Sequence, residues 1–135
     1  MNKLQLIPSD ADLSGPTTVD STAPKGLFFH YADQAKPLAT PWQVAVERAK
    51  MVRKCKLPDG PILDPACGSG IQLAAYCAML SRKGVGIEMH EPTAQAANSN
   101  LRRVAEHGFG DSLLDSRIQV GDGTIGDANQ KFAML

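Results

Sequence analysis

Apolar and polar positions follow two different periods along this chain, and the change of period falls on one glycine-rich stretch. Trp42, Ala45, Val46, Ala49 and Val52 recur at helical spacing, with Arg48, Lys50, Arg53, Lys54 and Lys56 filling the positions around them. The pattern predicts a helix with one core face and one basic face. Thr40 suits its N-cap and Pro41 its first helical position, where a missing N–H costs nothing. Pro58-Asp59-Gly60-Pro61 reads as a turn. The short apolar run that follows, ending on Asp64, reads as a buried strand, after which Gly68 and Gly70 turn the backbone sharply into a second helix over residues 71–82. Arg82-Lys83-Gly84 supplies cations for its last turn and a glycine to cap it.

Val85 to Met89 is then a second buried strand. Glu91-Pro92 opens a third helix, whose stripe of Ala94, Ala97, Leu101, Val104 and Ala105 stops near Gly108-Phe109-Gly110. Ile118 to Val120 forms a short third strand, and the apolar residues 132–135 open a fourth. Strand, helix and parallel strand in succession predict an α/β fold, a Rossmann-like parallel sheet with flanking helices.

The N-terminal stretch reads differently. Residues 1–25 mix Pro, Ser, Thr, Asp and Gly with few large apolar side chains, so a flexible leader is expected before a domain over 26–135. Gly26 to Tyr31 concentrates Phe28, Phe29 and Tyr31 around His30. This stretch reads as a hydrophobic strap packed on the domain, with a lid over a bound cofactor as the functional alternative.

Composition narrows the function classes. Lys plus Arg and Asp plus Glu balance at 14 each, so no global basic field drives nonspecific nucleic-acid binding, which weakens such a substrate without excluding it. Three cysteines without a C-x-x-C pair and three scattered histidines give no zinc site and suggest reduced thiols. No apolar run approaches the roughly 20 residues of a membrane helix, and the N-terminus has no signal-peptide core, so a cytoplasmic protein is the default.

The glycine turn carries the chemistry. At a helix N-terminus its backbone N–H groups favour carboxylates and phosphates. A dinucleotide site wants a third glycine for close helix packing; Leu73 stands there, which disfavours an NAD-dependent oxidoreductase. Gly121-Asp-Gly123-Thr-Ile-Gly126 matches the dinucleotide pattern in full. Too few residues follow it for a crossover helix, so it is a false positive.

Asp64-Pro-Ala-Cys67-Gly68-Ser-Gly70 resembles the first motif of class I S-adenosylmethionine-dependent methyltransferases, in the Asp-Pro-x-Cys-Gly-Ser-Gly form typical of enzymes acting on exocyclic amines of bases in DNA or RNA. The resemblance implies S-adenosyl-L-methionine as cofactor. It also implies that Asp64 engages the ammonium side of the methionine moiety, that Ala66, Cys67, Gly68 and Gly70 line the turn against the cofactor, and that Glu88, about 24 residues after Asp64, takes the ribose hydroxyls. Met89 would pack on the adenine ring. Asp122 would accept from the adenine amine, within a turn shaped by Gly121 and Gly123. The Thr-Pro helix before the cofactor strand is similar to one in relatives that methylate RNA caps and tRNA or rRNA bases. Ala66 stands where a glycine is common, a change the Asp-Pro form often tolerates; Ile71 and Gln72 replace small hydroxyl residues frequent in adenine-directed DNA enzymes, and that departure puts RNA slightly ahead of DNA.

The resemblance covers roughly residues 40–135, the cofactor-binding half of a seven-stranded domain. The fourth-strand Asp- or Asn-Pro-Pro motif that would hold a target amine does not occur in these residues, so no catalytic residue is assigned. A partial domain is expected, ending after about three strands. Its exposed sheet edge would favour self-association. The competing expectation is a noncatalytic scaffold that keeps the fold without the reaction.

Overall fold

The computed structural model describes residues 17–32 and 39–123, together with the backbone of two short strands at 5–6 and 133–134. In chain order the strands and α-helices are β1 (Gln5–Leu6), β2 (Thr18–Val19), β3 (Phe28–Phe29), α1 (Trp42–Arg53), β4 (Ile62–Asp64), α2 (Ile71–Leu80), β5 (Gly84–Glu88), α3 (Glu91–Val104), β6 (Arg117–Val120) and β7 (Ala133–Met134).

A five-stranded sheet runs in the order β1-β6-β5-β4-β7. Strands β6, β5, β4 and β7 are mutually parallel, with Asp64 opposite Gly86 and Glu88 opposite Val120, and β1 is the one antiparallel member. The expected α/β fold is therefore present. Ala133–Met134 pairs on the far side of β4, where a fourth strand was expected, and the edge strand Gln5–Leu6 had no signal in the sequence. Among the described residues no helix is long and apolar enough to cross a membrane.

The helices form where their apolar stripes find the sheet and each other. In α1, Trp42, Ala45, Val46 and Ala49 are buried. The first turn of α1 is capped differently from the expectation at Thr40. Pro41 takes the N-cap position without a side-chain bond of its own, because the caps come from far upstream. Asp20 Oδ2 accepts the Trp42 N–H at 2.7 Å, and Thr22 Oγ1 accepts the Gln43 N–H at 3.1 Å. Burial alone would raise the Asp20 carboxyl, but bonds from the Thr22 hydroxyl and from the Trp42 and Thr22 N–H groups outweigh it and hold the group below its ordinary value.

The far end of α2 also differs from the glycine cap expected at Gly84. Ser81 adopts the left-handed conformation and closes the helix on Cys77 C=O, so Gly84 is free to begin β5, where its N–H donates to Ser116 Oγ at 2.8 Å.

The aromatic strap is one strand of a hairpin: Phe28–Phe29 pairs with Thr18–Val19, inside the segment expected to be a leader. Phe29 is fully buried, with its ring 5.9 Å from Trp42, which in turn lies 5.2 Å from Phe109. Burying side chains of this size contributes roughly 2–3 kcal/mol each. Phe29 thus anchors the strap to the domain core.

Candidate functional site

The site residues anticipated from the sequence converge at the carboxyl ends of β4, β5 and β6. Ligands of open parallel sheets bind at this edge, because the loops that leave the strands open a crevice there. Asp64, Ala66, Cys67, Gly68 and Gly70 line one cleft of about 290 Å³, and Thr40, Ser69 and Gln72 line it with them.

The turn itself is pinned by its own backbone. Cys67 N–H donates to Ile87 C=O of β5 at 3.0 Å, Gly70 N–H to Cys67 C=O at 2.9 Å, and Ala66 N–H to Asp64 Oδ1 at 3.2 Å. Glu88 reaches back from β5: its Oε1 accepts the Gly68 N–H at 3.2 Å and its Oε2 accepts the His90 N–H at 2.8 Å. Several N–H groups expected to face a ligand are thus taken up inside the protein. The turn had to be held rigidly, and neighbouring strands supplied the acceptors.

Gly70 stands at φ +78°, and a Cβ there would lie 2.9 Å from Ala97 Cβ, so α3 presses directly on the turn. The loop after β6 closes against the same place. Gly121 N–H donates to Glu88 C=O at 3.0 Å, and a Cβ on Gly123 would collide with the Pro65 carbonyl oxygen. Half-buried Asp122 sits between these two contacts. Met89 is largely exposed, at 66%.

The electrostatics favour a ligand with a positive centre. Burial raises the Asp64 carboxyl above its ordinary value, the nearby Glu88 carboxylate raises it further, and the Ala66 N–H partly offsets both. A cation placed beside the pair would relieve this repulsion, whereas a pyrophosphate would add to it. The Cys67 thiol is pushed up by burial and by both carboxylates, so it remains a packed thiol and not a nucleophile.

One buried polar atom of the glycine turn has no partner among the described residues. Ser69 is 7% exposed, and its Oγ makes no hydrogen bond among the described residues. Helix α2 starts beside it without a side-chain cap, which leaves first-turn N–H groups to a ligand or to water. An acidic pair, an uncapped helix start and an orphaned hydroxyl together suit a zwitterionic amino-acid group. S-adenosylmethionine carries such a group next to its sulfonium, so the residues present fit this cofactor.

Sequence reasoning missed three contributors. Thr40, read as a helix cap, is released from capping by Asp20 and lines the cleft. Ser69 lay inside the motif but had been given no role. Gln72, noted only as a departure, fastens α1 to α2: its Nε2 donates to Ala45 C=O at 3.0 Å and its Oε1 accepts from Arg48 Nη1 at 3.3 Å.

Sheet order, glycine turn and acidic strand ends together define a class I S-adenosylmethionine-dependent methyltransferase. The model of the protein-L-isoaspartate(D-aspartate) O-methyltransferase family matches residues 29–131, most of the chain, and the chain belongs to that family. Methyltransferases of this family use S-adenosyl-L-methionine as methyl donor. Neither a curated protein nor a solved structure matches the chain.

Proposed function

We propose that the cleft lined by Asp64, the glycine turn and Thr40, together with the adjoining end of β5, binds S-adenosylmethionine and presents its methyl group to an acceptor at the carboxyl edge of the sheet. The observation that carries this reading is the convergence of Asp64, Glu88 and the orphaned Ser69 hydroxyl on one turn. Asp64 takes the ammonium side of the methionine moiety. The uncapped start of α2 takes its carboxylate, with the buried Ser69 hydroxyl behind it. Glu88 keeps lone pairs free for the ribose hydroxyls while holding Gly68, and Asp122, with Met89 on the ring face, serves the adenine. The cofactor supplies an electrophilic methyl on a sulfonium; what the chain adds is position and orientation, which transfer of this kind needs more than acid–base help.

Two acceptors are each favoured by a specific observation. The family description names the carboxylate of a protein L-isoaspartyl or D-aspartyl residue, and its match extends over residues 29–131. That span consists of the elements that build the cofactor cleft, so it supports the donor more strongly than the acceptor. The Asp64-Pro-x-Cys-Gly-Ser-Gly70 form of the turn instead favours an exocyclic amine of a nucleic-acid base, RNA ahead of DNA.

Calorimetric titration of the chain with S-adenosylhomocysteine, beside NAD, tests the cofactor reading. Binding of the former alone is expected. No binding by a folded chain would overturn it. Transfer of labelled methyl from S-adenosylmethionine to an isoaspartyl peptide, or to RNA and DNA, then decides between the acceptors.

A further inference from the structure

Asn100 is fully buried in the C-terminal half of α3, and its carboxamide joins two segments far apart in sequence. Its Oδ1 accepts the His30 N–H at 2.7 Å, and its Nδ2 donates to His30 C=O at 2.8 Å and to Ser69 C=O at 2.8 Å. Toward the strap the amide behaves as the next residue of a β-ladder, bonding the donor and the acceptor of one residue. Toward the turn it holds the carbonyl between Gly68 and Gly70. The orientation of the amide is fixed, because turning it over would set Nδ2 against an N–H and Oδ1 against two carbonyls.

Ala97, one helical turn earlier on the same face, is the atom group pressed against Gly70. One face of α3 therefore supports the glycine turn by contact at Ala97 and by hydrogen bond at Asn100. Through the same amide, that face fixes the position of the strap. The residue at the turn end of this link, Ser69, lines the cleft and carries a buried hydroxyl with no partner among the described residues.

We infer that Asn100 is a positioning residue of the cofactor site, coupling occupancy of the glycine turn to the ordering of strap residues 26–31. The inference rests on the cofactor reading above. A ligand that fixes Ser69 also fixes its carbonyl, which steadies the amide, which in turn steadies the two bonds to His30. By reciprocity, a strap held in place tightens the ligand. The link needs no movement of α3, since both ends meet on a single side chain.

Hydrogen exchange of the full chain with and without S-adenosylhomocysteine tests this, beside titration of Asn100→Asp, which keeps an acceptor for the His30 N–H but loses both donated bonds. In the wild type, ligand is expected to slow exchange across 26–31. In Asn100→Asp that protection is expected to vanish and affinity to fall about tenfold, the scale of one lost buried bond. Phe29→Leu loosens the strap's packing while leaving the amide in place, and is expected to keep both affinity and ligand-dependent protection. Ligand binding to the wild type with no change in strap exchange would overturn the coupling alone, whether or not Asn100→Asp folds. So would an Asn100→Asp protein that retains both effects, or a Phe29→Leu protein that loses both. A folded wild-type chain that binds no ligand would overturn the cofactor reading and the coupling with it.

Discussion

Glu88 Oε1 accepts the Gly68 N–H at 3.2 Å, so the carboxylate that ends β5 also holds the turn that follows β4. Its second oxygen accepts the His90 N–H. A side chain read from the sequence as a ribose ligand is thus also part of the frame. Glu88→Ala is expected to weaken S-adenosylhomocysteine by at least about a hundredfold, since a charge-assisted bond of roughly 1.5–3 kcal/mol to the ligand and one to the turn are lost together. Glu88→Gln, which keeps an acceptor for Gly68, is expected to lose about tenfold. Calorimetry on both variants checks this; unchanged affinity in both removes Glu88 from the site.

Asp64 is charged at a cost, chiefly from its burial and further from the nearby Glu88 carboxylate, and the fold bears that cost at neutral pH. The folded-state pKa of Asp64 is raised, so its contribution favours the fold below the unfolded value, about 3.9, and is lost as pH rises through the folded value. Asp64→Asn keeps the acceptor for Ala66 N–H and removes the charge. It is expected to raise Tm at pH 7, with the gain shrinking as pH falls through the raised folded value and gone by about 4, while weakening the ligand. Thermal melts across pH beside titrations check both signs.

Close packing on the turn predicts a division between stability and binding. At Gly70 the left-handed backbone costs a side chain about 1–2 kcal/mol, and Ala97 is already in contact range. Gly70→Ala is therefore expected to lower Tm by several degrees. Gly123→Ala meets the Pro65 carbonyl and is expected to displace the loop carrying Asp122, lowering affinity more than Tm. Melting curves and titrations on the two variants separate these effects.

Capping of α1 from Asp20 predicts an effect mainly on stability. Asp20→Ala is expected to cost about 1 kcal/mol, the usual value of a cap, and to lower stability more than ligand affinity. The Asp20 carboxyl is held below its ordinary value, so its contribution is present above about 3.9 and is lost as pH falls through the folded value. The variant should accordingly show a flatter acid limb in chemical denaturation.

Much of the sheet could be read from the chain because the information was local. Buried runs at Ile62–Asp64 and Gly84–Glu88, separated by one helix, allow essentially one crossover, and that crossover brings their carboxyl ends together. The glycine turn was legible for the same reason. Two-residue pairings such as Gln5–Leu6 and Thr18–Val19 are too short to carry a period, so nothing marked them. Ser81 at φ +53° replaced a glycine cap because the chain could leave α2 one turn sooner than the nearest glycine implied.

Periodicity and the glycine spacing alone determined the order of elements, the turn and the acidic residues at two strand ends, since each depends on residues a few positions apart. Tertiary structure decided what those residues do to one another. Glu88 holding Gly68, Asp20 capping α1, Gly123 closing on Pro65 and Asn100 joining Ser69 to His30 are contacts across 20 or more positions. Asn100 shows the physical reason most directly. A polar residue on a helix reads as a surface position until the fold removes it from water, and only then must its amide find partners, here the strap and the turn.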